Sequence, residues 1–178
     1  VALLLGNHLL TTDSAGVGVR GVFAVDAPVD LVGLYRSAEK NVANNCSPAA
    51  VAEGNFLLDH LRTTWGTPEK NLATYERFSP FTAQTHHIDN LQALKSTPLR
   101  LYTEPDSAWW QTNRRVNFAQ TNAFRFRQLD TTLRNAGFAQ VELIETRNKG
   151  YRANGDRHPH SWSIVDVPDL LTWVLKAK

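Results

Sequence analysis

The chain has 178 residues, of which 42% are hydrophobic and 20% charged, and a formal net charge of +2 at pH 7. These are the values of one ordinary globular domain with a sizeable core. So small a charge gives no case for nucleic acid as an obligate partner, and a single cysteine, Cys46, excludes an internal disulfide framework and a cysteine-based zinc site while leaving the compartment open.

The opening run Val1-Ala2-Leu3-Leu4-Leu5 is too short to span a bilayer, which takes about 20 residues. It also lacks the basic flank and cleavage pattern of a signal peptide, so no membrane partner is expected. Leu3, Leu4, Leu5, Leu9 and Leu10 recur at near-helical spacing and predict a helix already under way. With no methionine and no cap before it, the expectation is that the chain begins inside a domain whose first strands lie upstream. Val19 to Val25 is a short apolar run of the kind found in buried parallel strands. Asp26-Ala27-Pro28-Val29-Asp30 follows as a turn.

Residues 31 to 75 carry helical patterns broken at Cys46-Ser47-Pro48 and Gly66-Thr67-Pro68, which predicts an inserted helical region. Ser47 and Thr67 each precede a proline at a first helical position, the arrangement of a hydroxyl N-cap. Leu99-Arg100-Leu101-Tyr102-Thr103 is a second strand, left through Glu104-Pro105-Asp106. One long helix is expected over 115 to 135, stopping at Gly137, with Phe118, Phe126, Leu129 and Leu133 on its apolar side. A third strand over Phe138 to Ile144, a loop through His160 and a last helix over 166 to 176 complete the order, with Leu170, Trp173 and Val174 facing inward. This alternation implies an α/β fold with a mostly parallel sheet flanked by helices.

In such sheets ligands gather beyond the carboxyl ends of the strands. Asp106 follows one strand end, and His160 lies in the loop after the next. A carboxylate beside an imidazole fixes the ring's tautomer and favours the imidazolium that forms when it takes a proton, so Asp106 and His160 are the expected catalytic pair. Alternatives stay open. Asp106 also suits an N-cap of the segment at Ser107-Ala108-Trp109, Glu104 is a rival acid, and Asp26 and Asp30 occupy another strand exit as an alternative acid or a turn. His86-His87 reads as exposed or structural. Trp109 and Trp110 suit an aromatic wall for an apolar substrate group or the core. Arg147, Lys149, Arg152 and Arg157 concentrate positive charge near the His160 loop, attracting an anion or simply facing solvent. No His-x-x-x-His or other ligand spacing supports a metal, and no organic cofactor is called for.

These residues together resemble the C-terminal part of an α/β-hydrolase, the superfamily of esterases, lipases and related serine hydrolases. Val1 to Leu10 is similar to the helix after the family's nucleophile elbow, and Val19 to Asp30 to the next core strand and its exit. Phe78-Ser79-Pro80 followed by Thr97 to Asp106 resembles the Ser-Pro segment and acid-bearing strand. The resemblance implies Asp106 as triad acid, His160 as base, and residues 31–75 as a helical cap within a single domain of which 1–178 is the later part. The family's Gly-x-Ser-x-Gly elbow is not present. Thr12-Asp13-Ser14-Ala15-Gly16 imitates it without the leading glycine and ahead of a strand, so the serine is expected before Val1, on a segment retained beside this chain. The expected function is hydrolysis of an ester or related acyl bond in a small-molecule substrate. The alternatives are a non-catalytic ligand-binding module on the same fold and a hydrolytic metal site using His158 or His160.

Overall fold

The computed structural model describes residues 1–12 and 18–176. Helix α1 spans Ala2–Thr11, strand β1 Val22–Val25, and three helices follow: α2 Leu31–Asn44, α3 Pro48–Trp65 and α4 Pro68–Phe78. After a 3-10 segment at Asp89–Leu94 come β2 Leu99–Thr103, α5 Ser107–Arg114, α6 Asn122–Asn135, β3 Val141–Glu145 and α7 Val167–Lys176. The fold is α/β: the strands form one parallel sheet in the order β1-β2-β3, with Val22 opposite Leu99 and Leu99 opposite Val141.

The period of two along each strand divides the side chains between two helical layers. Val22, Ala24, Leu99, Leu101 and Val141 enter a core with Leu3 of α1 and Phe126, Leu129 and Leu133 of α6. Tyr102 packs on the opposite face with Ile164, Val165 and Leu170, joined by the half-buried Phe23, Val25 and Ile144. Arg100 lies on that face and pins α7 to the sheet. Its guanidinium donates to Glu142 and, at 2.7 Å, to Asp169, and stands 5.0 Å from the Trp173 ring.

The middle helices keep a separate core of Val32, Tyr35, Ala38, Leu58, Leu61 and Tyr75. Ser47 caps α3 by accepting from the Ala50 amide at 3.2 Å, whereas Thr67 precedes Pro68 without a side-chain cap bond. Asp30 caps α2 through the Gly33 amide. Its other oxygen accepts from Ala83, and Ser79 accepts from the Leu31 amide. The Ser-Pro segment after α4 is therefore tied to the entry of α2, where the buried Ser79 and Phe81 anchor it.

Three sequence expectations change. The helix expected over 115 to 135 is divided, because Arg115 turns left-handed at φ 53° and ends α5; Phe118 belongs to a 3-10 turn, and α6 starts only after Thr121 caps it through Phe124. Strands β1 and β3 are shorter than their apolar runs. On α7 Leu170 faces inward and Trp173 packs partly against it, but Val174 is exposed. Among the described residues no helix is long and apolar enough to cross a membrane.

Candidate active site

Asp26 ends β1 in a conformation that a non-glycine residue rarely takes, with φ at 39°. Holding such a residue costs about 1–3 kcal/mol and requires surroundings that over-determine it. Here the backbone and side chain are both held. The Asp26 amide donates to the Tyr102 carbonyl at 2.8 Å, and its own carbonyl accepts from Asn122 Nδ2. Thr103 Oγ1 donates to Asp26 Oδ1, and Asp26 Oδ2 stands 2.7 Å from His160 Nδ1. The carboxylate is only 5% exposed, so its charge is partnered by groups drawn from β2 and from the loop before α7.

A carboxylate only accepts, so His160 Nδ1 carries the proton and Nε2 is left with its lone pair. The hydrogen bond to Asp26 raises the His160 pKa above the ordinary value, against the opposing effect of burial. The pair is thus a base oriented by an acid, on the side chains of two strand-exit segments 134 residues apart in sequence.

The expected partner of His160, Asp106, is placed differently. One of its oxygens accepts from the Trp109 amide at 3.0 Å, capping α5, and the other accepts from Arg157 at 2.6 Å. The cap and the guanidinium occupy the carboxylate, and Asp26 takes the position beside the imidazole. The rival acid Glu104 is 2% exposed and ties down the loop that carries His160. Its Oε2 accepts from Thr146 Oγ1 and from the amides of Lys149 and Gly150, and its Oε1 from Arg157. Arg157 also donates to the Gly150 carbonyl at 2.7 Å. No side chain fits at Gly150, where a Cβ would meet the His158 carbonyl at 2.6 Å.

His158, buried beside this clamp, donates from Nδ1 to the His160 carbonyl at 3.2 Å and packs edge-on against Trp109, with ring centres 5.0 Å apart. Burial lowers its pKa, and the charge of Arg152 lowers it further. Its ring centre lies 6.2 Å from that of His160.

Comparison with protein-family models, curated proteins and solved structures finds no match to this chain. A cavity of about 420 Å³ opens in front of the pair, within the usual size range of small-molecule sites. Its walls come from the helical region, including Leu34, Ala38 and Leu57, and from the strand-exit side, including Trp110, His158 and His160. Of the two tryptophans expected as an aromatic wall or as core, Trp110 lines the cavity and Trp109 does not, packing instead against Trp110 and His158.

The remaining expectations divide. Asp30 is a helix cap, ion-paired with Arg125 at 3.6 Å. His87 pairs with Thr82 in an isolated bridge and His86 occupies the turn, neither lining the cavity. Cys46 is a free thiol on the cavity wall. Ser14 lies outside the described residues. Among the described residues no group of three or more His, Cys, Asp or Glu side chains is arranged to hold a metal ion. Among the charged lining residues, Arg114, Arg125 and Glu53 escaped the sequence reading. Arg114 had a signal, since it follows Trp110 by four positions and so shares its helix face; Glu53 had none.

Proposed function

We propose that this chain supplies the acid–base half of a serine hydrolase that cleaves an ester or related acyl bond, with an α/β-hydrolase-like sheet and residues 31–75 as its cap. The observation that carries the proposal is the 2.7 Å contact between His160 Nδ1 and Asp26 Oδ2, beside a cavity that His160 lines. The nucleophile is a serine preceding Val1. A helix leading into a strand of a parallel sheet begins on the side where the strands end, which is the side of Asp26 and His160. Strand β1 is also an outer strand of the described sheet.

In this mechanism the serine oxygen attacks the carbonyl carbon as its proton passes to His160 Nε2, and Asp26 holds the imidazolium. The C–O bond of the ester breaks, the alcohol leaves with that proton, and an acyl–serine remains. Water repeats the sequence: its proton goes to His160, its oxygen joins the carbonyl carbon, and the proton returns to the serine as the acid departs. Asp26 replaces Asp106 as the orienting acid because it is the carboxylate in contact with the ring.

The test treats the full-length protein with a fluorophosphonate and maps the adduct by mass, alongside p-nitrophenyl butyrate hydrolysis. A label on a serine before Val1, and a roughly 10⁴-fold fall in turnover for His160→Ala with folding retained, is the expected result. A full-length protein that takes no label and hydrolyses no ester, yet binds ligands in the cavity, would establish a non-catalytic binding module instead.

A further inference from the structure

The charges around the cavity are unevenly neutralised. Arg125 is held by Asp30 and by Gln128, and Arg157 by Glu104 and Asp106. Arg114 and Arg152 also line the cavity, yet neither guanidinium has an ion-pair or hydrogen-bond partner among the described residues. Arg114 comes from the last turn of α5 and Arg152 from the loop that carries His158. Two like charges from separate segments thus line the same cavity as the buried His158 ring, and both act to lower its pKa. Convergent cations without counter-charge repel each other and favour an anion between them.

Glu53 of α3 lines the same cavity, has no ion-pair or hydrogen-bond partner among the described residues, and acts to raise the pKa of His160, as Arg114 and Arg152 act to lower that of His158. A carboxylate acting on His160 disfavours an anion there, and two guanidinium groups acting on His158 favour one beside that ring.

We infer that the cavity selects an ester bearing a remote carboxylate or phosphate, received by Arg114 and Arg152 beside His158 while the scissile carbonyl lies at His160. The word ester rests on the hydrolase proposal; the anion site does not. Trp110, whose ring centre is 5.9 Å from that of His158, is the wall along which the connecting carbons lie. The basic loop is solvated, as the sequence reading preferred, with Arg147, Lys149 and Arg152 exposed, but of these three only Arg152 lines the cavity.

The experiment compares, in the full-length protein, kcat/KM for p-nitrophenyl hemisuccinate with that for p-nitrophenyl butyrate, and measures succinate and inorganic phosphate binding by calorimetry. The expected preference is for the hemisuccinate, falling roughly 10-fold with Arg114→Ala or Arg152→Ala, the equivalent of about 1.4 kcal/mol. Arg152→Lys retains part of the preference, rising salt erodes it, and Arg147→Ala leaves it unchanged. Butyrate hydrolysis with no hemisuccinate preference, and no binding of either anion, overturns the anion site and leaves the hydrolase standing. Arginine-dependent binding of succinate or phosphate in a protein that cleaves neither ester does the reverse. Preference for the hemisuccinate with succinate bound and phosphate excluded identifies the anion as a carboxylate; the converse binding identifies a phosphate.

Discussion

Two neighbouring strands end in acidic residues, and the two exits are used differently. At the β1 exit Asp26 touches the imidazole; at the β2 exit Glu104 and Asp106 share Arg157 and hold the backbone of the loop on which that imidazole sits. One exit sets the chemistry of the ring and the other sets its place. The difference comes from what reaches each carboxylate first. A cap bond from its own helix and the Arg157 guanidinium from the later loop occupy the two oxygens of Asp106, while the left-handed turn at Asp26 places its side chain against Thr103 and His160.

The sharpest way to break this division is to remove each carboxylate's charge in turn. Asp26→Asn keeps the shape but leaves His160 free to take the wrong tautomer, and turnover on p-nitrophenyl butyrate is expected to fall about 10³- to 10⁴-fold. Asp106→Asn is expected to cost less than about 10-fold and to show instead as a loss of stability of up to about 1 kcal/mol from the weakened, partly exposed pair with Arg157, because asparagine still accepts from the Trp109 amide as a cap. Equal losses of turnover would show that both exits serve the ring and would end the distinction.

Arg157→Ala probes the second exit. It leaves the buried Glu104 without its cation, and breaking such a pair costs about 3–5 kcal/mol, read as a fall in thermal midpoint. Replacing both partners, Arg157→Met with Glu104→Gln, is expected to restore part of that loss because no buried charge is then left alone. A double variant no more stable than Arg157→Ala would mean that the guanidinium contributes through Asp106 and Gly150 alone.

The two histidines sharpen the comparison through pH. His160, raised chiefly by Asp26, is stabilising in its charged form. Its contribution is fully present below about 6.5 and is lost as pH rises through the raised folded value. His158, lowered chiefly by burial, has the opposite sign: stability is present above about 6.5 and is lost as pH falls through the lowered folded value. Proton NMR of the ring resonances is expected to find the two titrations on opposite sides of 6.5, with the activity of the free enzyme rising through the upper one. In Asp26→Asn the His160 titration moves down and that of His158 does not; joint movement would mean that the rings titrate as one unit.

Much of this architecture was legible from local pattern. The strand at Leu99–Thr103, the proline breaks and the Ser47 cap follow from residue types whose backbone preferences are strong. The carboxylate in contact with His160 was not legible, because the choice among Asp26, Glu104 and Asp106 depends on which side chains meet across the sheet. Nothing in the run Val25-Asp26-Ala27 marks a positive φ. Likewise the left-handed Arg115 that divides the expected long helix is an arginine in an apparently helical pattern, and its conformation is set by tertiary contact, including its carbonyl accepting from Asn44 Nδ2 at 3.0 Å.

The finest test uses two threonines in equivalent roles. Thr103 Oγ1 donates to Asp26 Oδ1 at the first exit, and Thr146 Oγ1 donates to Glu104 Oε2 at 3.0 Å at the second. Each replacement by valine removes one hydrogen bond to a carboxylate, a stability loss of about 1.5–3 kcal/mol, smaller where Thr146 is only partly buried. Thr103→Val frees Asp26 to rotate away from the imidazole, so turnover is expected to fall roughly 10-fold, the equivalent of about 1.4 kcal/mol in the barrier. Thr146→Val leaves Glu104 with two amides and Arg157, enough to keep the loop in place, and turnover is expected to stay near that of the wild type. If denaturant unfolding shows matched stability losses while p-nitrophenyl butyrate turnover falls in Thr103→Val alone, the exits differ in chemistry as well as in position. If turnover falls in both, loop placement alone governs the rate and Asp26 has no special claim on the ring.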